Sequence, residues 1–435
     1  MSTTHPVVPA PDQHLVGEIE SFLAELVADL SPEPPSPSGP GRPRILPALV
    51  LWTGLLVCVL RGFTSQLALW RLLSLKGVWH FPRYLITDQA VYARLTRAGT
   101  APLEGFFTQV SAALTERLEP VTDSTLASFA TMVAALDTTT LDQIRRKLPS
   151  LRGVRKGDTL LLPGKLQAIF DLRRQLWHTI KFLADPNRND KADARELAAS
   201  LPKGSLILAD LGYFGFPWFD WLTDEGYFWV SRLREKTSYQ VMHCYYSQGD
   251  TFDGLVWLGV YRADRAAHAV RLVTFRIGER VHRYITNVQD PQQLPPQTLA
   301  RLYARRWDIE MAFQLIKQHL GLHLLWSAKP VVVQQQILAV LIISQVLQAL
   351  RLEIAWRAEA DPFEVSLPLF IQYAPFLASV GQDPVQVFVE QGRQVGFIRP
   401  SRRTIIRAPA LPDSYAPLPP GLVLIRTPRY SGRRC

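Results

Sequence analysis

The segment GSLILADLGYFG (residues 204–215) is typical of a buried strand that ends in a turn. Its apolar run stops at Asp210, and a glycine and an aromatic residue follow within three positions. An earlier segment, MVAALDTTTL (132–141), has the same form, because an apolar run leads into Asp137 and three threonines. A carboxylate at the end of an apolar strand can emerge from the edge of a sheet. Both aspartates are therefore candidate site residues.

Strand and helix patterns alternate around these two segments from about residue 130 onward. The further segments are GKLQAIFDLRR (164–174, strand), ADARELAASL (192–201, helix), FDWLTDEG (219–226, helix) and YFWVSRLR (227–234, strand). Residues 237–288 are rich in Val, Tyr, Phe and Thr, and they alternate as antiparallel strands do. This succession predicts an α/β fold that carries a β-rich insertion.

The flanking regions have different patterns. Val16–Leu30 predicts a short helix, and residues 31–43 contain six prolines and two glycines, which is typical of a linker. Residues 44–99 predict helices, including one over 86–99 that begins at Thr87 or Asp88 and closes at Gly99. That helix is either the second helix of a helix-turn-helix or an ordinary amphipathic helix. The last part of the chain, after residue 325, is predicted to be helical to about residue 395 and irregular beyond it.

Composition narrows the class of protein. The 435 residues include 48 Lys and Arg against 38 Asp and Glu, a net charge of +10, which favours a polyanionic partner. Cys58, Cys244 and Cys435 have no metal-ligand spacing and predict no disulfide framework, so a reducing cytoplasm is expected. No signal-peptide pattern is found at the N-terminus. Ile45–Leu60 is too short to span a membrane and Val331–Leu350 contains several glutamines, so both predict buried helices.

The arginine content rises toward the C-terminus. From Arg399 onward there are eight arginines and one acidic residue, Asp413. This tail is either a phosphate-contacting segment or a solvated one.

Four polar residues line up in the segment LYARRWDIEMAFQLIKQHLGL (302–322). On one helix from about Pro296 to Leu320, at 100° per residue, they fall within a stripe of about 60°. The four are Tyr303, Arg306, Glu310 and Lys317. One carboxylate among an arginine, a lysine and a tyrosine suits a metal ligand flanked by phosphate-binding donors. A solvated helix face would also carry charges, so the geometry alone leaves both interpretations open.

The spacing of these four residues resembles a known signature. Tyr303-x2-Arg306-x3-Glu310-x6-Lys317 is similar, in all four residues and all three gaps, to the signature of DDE transposases of the insertion-sequence-four family. The resemblance implies an RNase H-like core with a β-rich insertion before the glutamate. Asp137 in LDTTTL and Asp210 in LADLGYF match the two aspartates of such enzymes. Asp171 and Asp142 are rivals for the first position.

The resemblance also implies a mechanism. Asp137, Asp210 and Glu310 would be the catalytic residues and would hold two Mg²⁺ (or Mn²⁺) ions for phosphodiester hydrolysis and transesterification on DNA. Carboxylates are the hard oxygen ligands that such ions prefer, and two ions stabilise both ends of an in-line displacement. Tyr303, Arg306 and Lys317 would bind DNA phosphates. Trp257, in the insertion, is a candidate for stacking on a base.

Together these patterns predict four regions. They are a flexible segment (1–43), a helical DNA-binding domain (44–125), an RNase H-like catalytic domain with its insertion at about 237–288 (126–325), and a helical C-terminal region with a basic tail (326–435). The expected partners are duplex DNA, as transposon ends and target, and a second copy of the chain on that DNA, with no membrane. A bacterial, nucleoid-associated location in the cytoplasm is expected. The alternatives are a catalytically inactive DNA-binding derivative of a transposase and an RNase H-like nuclease.

Overall fold

The structure is a computed structural model. It describes residues 17–28, 46–141, 164–185, 187–260, 264–322, 325–327, 329–401, 403, 406–408 and 415–430. The predicted linker at 31–43 and the rival aspartate Asp142 lie outside these residues. The chain forms two compact units, each assembled from separated stretches. We call them the helical unit (residues 1–121, 141–163 and 312–402) and the sheet unit (residues 122–140, 164–311 and 403–435).

The two compact units divide the chain differently from the four sequence regions. In particular, residues 403–435 group with the sheet and not with the C-terminal helices. The four-region division stays a prediction.

The sheet unit is built on one mixed sheet. Its strands are β1 (Val133–Thr140), β2 (Lys165–Asp171), β3 (Leu176–Leu183), β4 (Leu206–Ala209), β5 (Phe228–Arg232), β6 (Tyr239–Gln248), β7 (Thr251–Leu258), β8 (Val270–Ile277) and β9 (Arg280–Thr286). Their spatial order is β3-β2-β1-β4-β5-β9-β8-β7-β6. Neighbours β1, β4 and β5 run parallel, and the remaining pairs are antiparallel. The predicted α/β fold, with a large mixed sheet flanked by helices and a β-rich insertion, is confirmed, and it is consistent with the expected RNase H-like core.

The insertion does not form a separate sheet. Strand β9 pairs with β5, so β6–β9 extend the core sheet on the side of β5. Because side chains alternate between the two faces of a strand, this continuity puts core and insertion residues on one shared face.

Helices pack on this sheet because their apolar residues face it. The short helices of the sheet unit are α6 (Ala194–Ala198), α7 (Phe216–Asp224) and α8 (Pro296–Ala304), and α9 (Trp307–Gln314) crosses the unit boundary. Phe219 of α7 stacks on Trp229 of β5 with ring centroids 4.3 Å apart, and both side chains are buried. This aromatic layer fixes α7 against the core strands.

The long helix expected over Pro296–Leu320 is wrong as a single element. It breaks between α8 and α9 at Arg305 and Arg306, and α9 runs into a π-helical turn, Leu315–His319. At the break, Arg305 donates to the carbonyl of Leu172 (2.7 Å) and to the carboxylate of Asp308 (2.6 Å). These contacts with a strand-end turn favour the break over one continuous helix, so a constant 100° per residue does not hold from Tyr303 to Lys317.

The helical unit contains the remaining described helices. They are α1 (Gly17–Ala28), α2 (Ala48–Leu60), α3 (Gln66–Leu75), α4 (Asp88–Ala98), α5 (Ala101–Arg117), α10 (Pro330–Arg357), α11 (Leu367–Ser379) and α12 (Pro384–Gln391). The predicted start of α4 is confirmed, because the Thr87 side chain accepts a hydrogen bond from the Ala90 amide. Its end at Gly99 has a φ of 71°, which favours glycine.

Helix α10 is the core of the helical unit. Among the described residues it is the one helix long and apolar enough to cross a membrane by length and composition, and 89% of its most apolar window is buried. Within the unit, the side-chain amide of Gln335 donates to the carbonyls of Leu95 and Gly99. A buried helix is what the sequence predicts for this segment.

A buried ion pair joins the insertion to the chain that enters α8. Arg271 of β8 and Asp253 of β7 are both fully buried and 2.6 Å apart. Arg271 also donates to the carbonyl of Leu294 at 2.7 Å. One side chain therefore links two insertion strands to the segment that leads toward Glu310.

The C-terminal segment, residues 415–430, lies against the insertion. Backbone hydrogen bonds join Arg265 to Arg429 and Arg426 to Ala267. Tyr430 donates its hydroxyl to the buried carboxylate of Asp220 at 2.7 Å. This part of the arginine-rich tail is thus held by the sheet unit.

Candidate active site

The sheet register places the two predicted aspartates side by side on neighbouring strands. Leu136 of β1 pairs with Ala209 of β4, and the two strands run parallel. Asp137 and Asp210 each follow that pair by one residue, at the carboxyl end of β4. They occupy neighbouring positions despite being 73 residues apart in the chain (210−137).

A tight turn orients the Asp210 carboxylate. Asp210 begins the 3₁₀ turn Leu211–Tyr213 and accepts a hydrogen bond from the Gly212 amide at 2.7 Å. A Cβ atom on Gly212 would lie 2.8 Å from Oδ1 of Asp210. The glycine in LADLGYF is therefore required by the close approach of its own neighbour's carboxylate.

Burial and like charges act on Asp137. Its side chain is only 17% exposed, and its Oδ1 accepts the Thr138 amide at 2.8 Å. Burial raises the pKa of Asp137 to about 6; the Thr138 hydrogen bond and the Arg306 charge oppose this rise, and the charges of Asp210 and Glu310 add to it. Asp210 and Glu310 therefore both lie within electrostatic reach of Asp137.

Arg306 links the helix carboxylate to the strand carboxylate. Its guanidinium is 2.7 Å from Glu310 Oε1 and 3.9 Å from Asp137 Oδ2. Arg306 is 7% exposed, and its Nε is buried without a hydrogen-bond partner among the described residues. A buried cation between carboxylates balances charges that would otherwise repel.

Tyr303 is a buried packing residue beside the site. It is 7% exposed and packs against Tyr284 of β9, with ring centroids 5.2 Å apart and the ring planes tilted by 55°. Its hydroxyl donates to the carbonyl of Ala209, at 3.4 Å, immediately before Asp210. In this structure Tyr303 supports the strand end that carries Asp210, while its predicted phosphate contact stays a prediction.

Two other sequence candidates lie elsewhere. Lys317 is in the π-helical turn and belongs to the helical unit, not to the helix that carries Glu310. Asp171 pairs with Ala134, at the end of β1 opposite to Asp137, and its carboxylate accepts from Arg173 and Arg174. The geometry therefore favours Asp137 over Asp171 as the first aspartate.

Sequence reasoning missed a hydrogen-bond link behind the two aspartates. The hydroxyl of Tyr213, which is 2% exposed, is 2.7 Å from Thr138 Oγ1 and 3.0 Å from Gln167 Nε2. It ties the turn after Asp210 to strands β1 and β2. The aromatic residue in LADLGYF was the visible signal, but its partners are 46 and 75 residues away.

Trp257 is not available for base stacking in this structure. It is 5% exposed, and the Arg426 guanidinium lies 4.5 Å from its ring centroid. The C-terminal segment covers it, so the stacking role expected from the resemblance is not supported.

The carboxylates suit a divalent cation in chemistry. Asp137, Asp210 and Glu310 offer the oxygen ligands that hard cations prefer. Burial raises the pKa of Asp137, and the charges of Asp210 and Glu310 add to that rise. Within the described part of the chain, no three His, Cys, Asp or Glu side chains are close enough together to hold a metal ion. Arg306 supplies the positive charge in this arrangement.

A family model matches this region. Residues 138–346 match the model of the transposase DDE domain. The match begins one residue after Asp137 and includes Asp210 and Glu310. This stretch of the chain is therefore similar to the DDE transposase family. The narrower insertion-sequence-four group stays a prediction from the residue spacing.

One curated relative and one solved structure are similar to the chain. "Putative transposase y4zB" of Sinorhizobium fredii (strain NBRC 101917 / NGR234) is 26% identical over 167 residues, which are 37% of this chain. The chain spans 46% of that relative's length. The solved structure is a piggyBac transposase synaptic complex with hairpin DNA, at 10% identity and a TM-score of 0.36, covering 92% of this chain and 85% of the other.

Proposed function

We propose that this protein is a transposase that cuts DNA at the ends of an insertion sequence and joins those ends to target DNA. The main support is that Asp137 and Asp210 lie side by side on neighbouring strands, and that Arg306 contacts both Asp137 and Glu310. The match of residues 138–346 to the model of the transposase DDE domain supports the same chemistry. We further propose that it acts as a dimer on duplex DNA in the bacterial cytoplasm, at the nucleoid, without a membrane.

Asp137, Asp210 and Glu310 would hold the divalent cations, with Mg²⁺ or Mn²⁺ and two ions expected. Such ions activate water and stabilise charge on the attacking and leaving oxygens of a phosphodiester. For Glu310 to serve as a ligand, it must exchange its contact with Arg306. The freed guanidinium can then donate to a phosphate oxygen, since arginine matches phosphate geometry.

The strand-end turn keeps the acids in position for this reaction. The Thr138 amide donates to Asp137 and the Gly212 amide donates to Asp210, so each carboxylate keeps one oxygen occupied and directs the other. The Tyr303 hydroxyl donates to the carbonyl of Ala209, the residue before Asp210. These contacts preorganise the ligands before DNA arrives.

A nicking assay with Asp210→Asn tests the proposal. The substrate is DNA that carries the inverted repeats flanking the gene, with Mg²⁺ or Mn²⁺ present. Nicking should fall to the metal-free background, while DNA binding stays within about twofold because phosphate contacts from basic residues dominate it. Asp250→Asn, which removes an exposed acid paired with Arg276, is the matched control and should nick normally.

The alternatives give different results in the same assay. A wild-type protein that binds the repeats but never nicks them is an inactive derivative. Metal-dependent nicking without any need for the repeats identifies a nuclease.

Lys317 is tested separately, since it lies in the other unit. Each lost phosphate contact lowers the slope of log K against log salt by about one. Lys317→Ala should show that loss if its predicted DNA contact exists, and an unchanged slope would remove the residue from the interface.

A further inference from the structure

A third side chain stands level with the two aspartates on the same sheet face. Val230 of β5 pairs with Leu208 of β4, and these strands are parallel. Arg232 follows Val230 by two residues, just as Asp210 follows Leu208. The register therefore sets Asp137, Asp210 and Arg232 side by side on three neighbouring strands, with side chains on one face.

The charge of Arg232 acts on Tyr303, which lies beside the candidate site. Burial raises the pKa of Tyr303, and the charges of Arg306 and Arg232 oppose that rise, while Asp210 adds to it. The Tyr303 hydroxyl thus lies within reach of Arg232 and Asp210 alike. This electrostatic contact agrees with the position that the strand register gives Arg232.

Arg232 is exposed and has no carboxylate partner among the described residues. Three other arginines of the sheet unit are paired with carboxylates: Arg271 with Asp253, Arg276 with Asp250, and Arg306 with Glu310. An unpaired guanidinium beside a group of acids is free to bind an anion from solution.

The same face continues outward along the insertion. Arg232 pairs with Tyr284 of β9, and His282 and Arg280 follow at alternate positions on that strand. Burial lowers the pKa of His282, and the charges of Arg232 and Arg280 lower it further. Positive potential therefore extends from the candidate site along β9, over steps of about 7 Å per two residues.

We propose that Arg232 binds a backbone phosphate of DNA beside the carboxylates, and that Arg280 binds a second phosphate of the same strand farther along β9. This inference rests on the proposed function, because it adds a positioning residue to that reaction. Arg232 would hold the DNA backbone near Asp210 from strand β5. Arg306 would act from the break between α8 and α9. The Arg232 guanidinium suits a phosphate because the planar fork of N–H donors can form two parallel hydrogen bonds with phosphate oxygens.

The test measures the binding of a duplex carrying the inverted repeats, in EDTA, at several salt concentrations. Arg232→Gln should weaken binding and lower the slope of log K against log salt by about one. Arg232→Lys should keep the slope. Arg276→Gln is the matched control, since position 276 faces the opposite side of the sheet, and its slope should equal that of the wild type.

Arg280→Gln provides a second, independent variant at an exposed strand end, and it should lower the slope by about one as well. Equal slopes for wild type, Arg232→Gln and Arg280→Gln would overturn the inference. So would an equal loss in Arg276→Gln, because any removed charge would then suffice. Nicking by the wild type with Mg²⁺ is scored apart: its failure would sink the proposed function, while a lower slope in Arg232→Gln would still support the phosphate contact.

Discussion

Gly212 shows how a single missing side chain can decide the position of a carboxylate. Gly212→Ala would place a methyl group 2.8 Å from Asp210 Oδ1, so the carboxylate must turn away. We expect nicking to fall at least about tenfold, because a misplaced ligand costs this much or more. The melting temperature should change little. Gly105→Ala is the control, since nothing lies within 4 Å of its added Cβ, and its nicking should equal that of the wild type.

Asp137 predicts a pH dependence of stability in the metal-free protein. Its pKa rises from 3.8 to about 6 on folding, so the folded state binds more protons between these values. Stability should therefore fall as pH rises from about 4 to about 6. Asp137→Asn removes this penalty and should be more stable above pH 6, by up to about 3 kcal/mol, and not below pH 4.

Urea denaturation in EDTA at pH 4 and pH 7.5 measures this difference. A gap between variant and wild type that is the same at both pH values would show that the folded pKa of Asp137 is not raised.

The residue scale is also where sequence reasoning was most informative about the site. Asp137 and Asp210 could be found because each ends an apolar run, a local pattern. The link from Tyr213 to Thr138 and Gln167 could not, because it depends on which strands become neighbours. The position of Arg232 was missed for the same reason, since only the register places it beside Asp210.

At the scale of elements, the strands were predicted well and the helix with Glu310 was not. Buried strands show as apolar runs, and β1, β2, β4 and β5 all appeared that way. Strand β3 (Leu176–Leu183) was missed, because its middle is polar and only partly buried. The break at Arg305 depends on the carbonyl of Leu172, which is 133 residues distant, so no helical periodicity could reveal it.

The buried pair between β7 and β8 gives a prediction for the insertion. Arg271→Met leaves Asp253 buried without its partner and should destabilise the protein by about 3–5 kcal/mol. The double variant with Asp253→Leu also lacks the unpaired buried carboxylate, and it should recover much of the lost free energy of unfolding. Arg276→Met, at an exposed pair, should cost at most about 1 kcal/mol.

Urea unfolding of these variants decides the matter. If the double variant is no more stable than Arg271→Met, the cost lies in the lost hydrogen bond to Leu294 rather than in the unpaired carboxylate.

At the scale of the whole molecule, the C-terminal segment was the least predictable part. Its arginines suggested phosphate contacts or a solvated tail, yet Arg426 donates to the carbonyls of Ala266 and Leu258 and covers Trp257. Composition gives the charge of such a segment but does not predict its contacts, because the residues that it binds lie about 160 positions upstream.

Tyr430→Phe tests the docking of this segment. It removes the hydroxyl that donates to buried Asp220 and should cost about 1 kcal/mol. Removal of residues 415–435 should cost more, about 3 kcal/mol, since the contacts of Arg426 are lost too. Val423→Ala, at a side chain that is 66% exposed, should change stability by less than about 0.5 kcal/mol. Thermal unfolding measures all three, and an unaltered truncated protein would show that the segment is not held in solution.

The order of its segments in the chain also determines when the sheet unit can fold completely during synthesis. Its last stretch, residues 403–435, follows the final stretch of the helical unit, 312–402, in the chain. Ribosomes add about 5–20 residues per second, so several seconds separate the emergence of Glu310 from that of Tyr430. During this interval the nascent chain carries all three acids but leaves Asp220 without its tyrosine partner. A chain that ends before residue 415 therefore lacks Arg426, whose guanidinium covers Trp257 of the insertion.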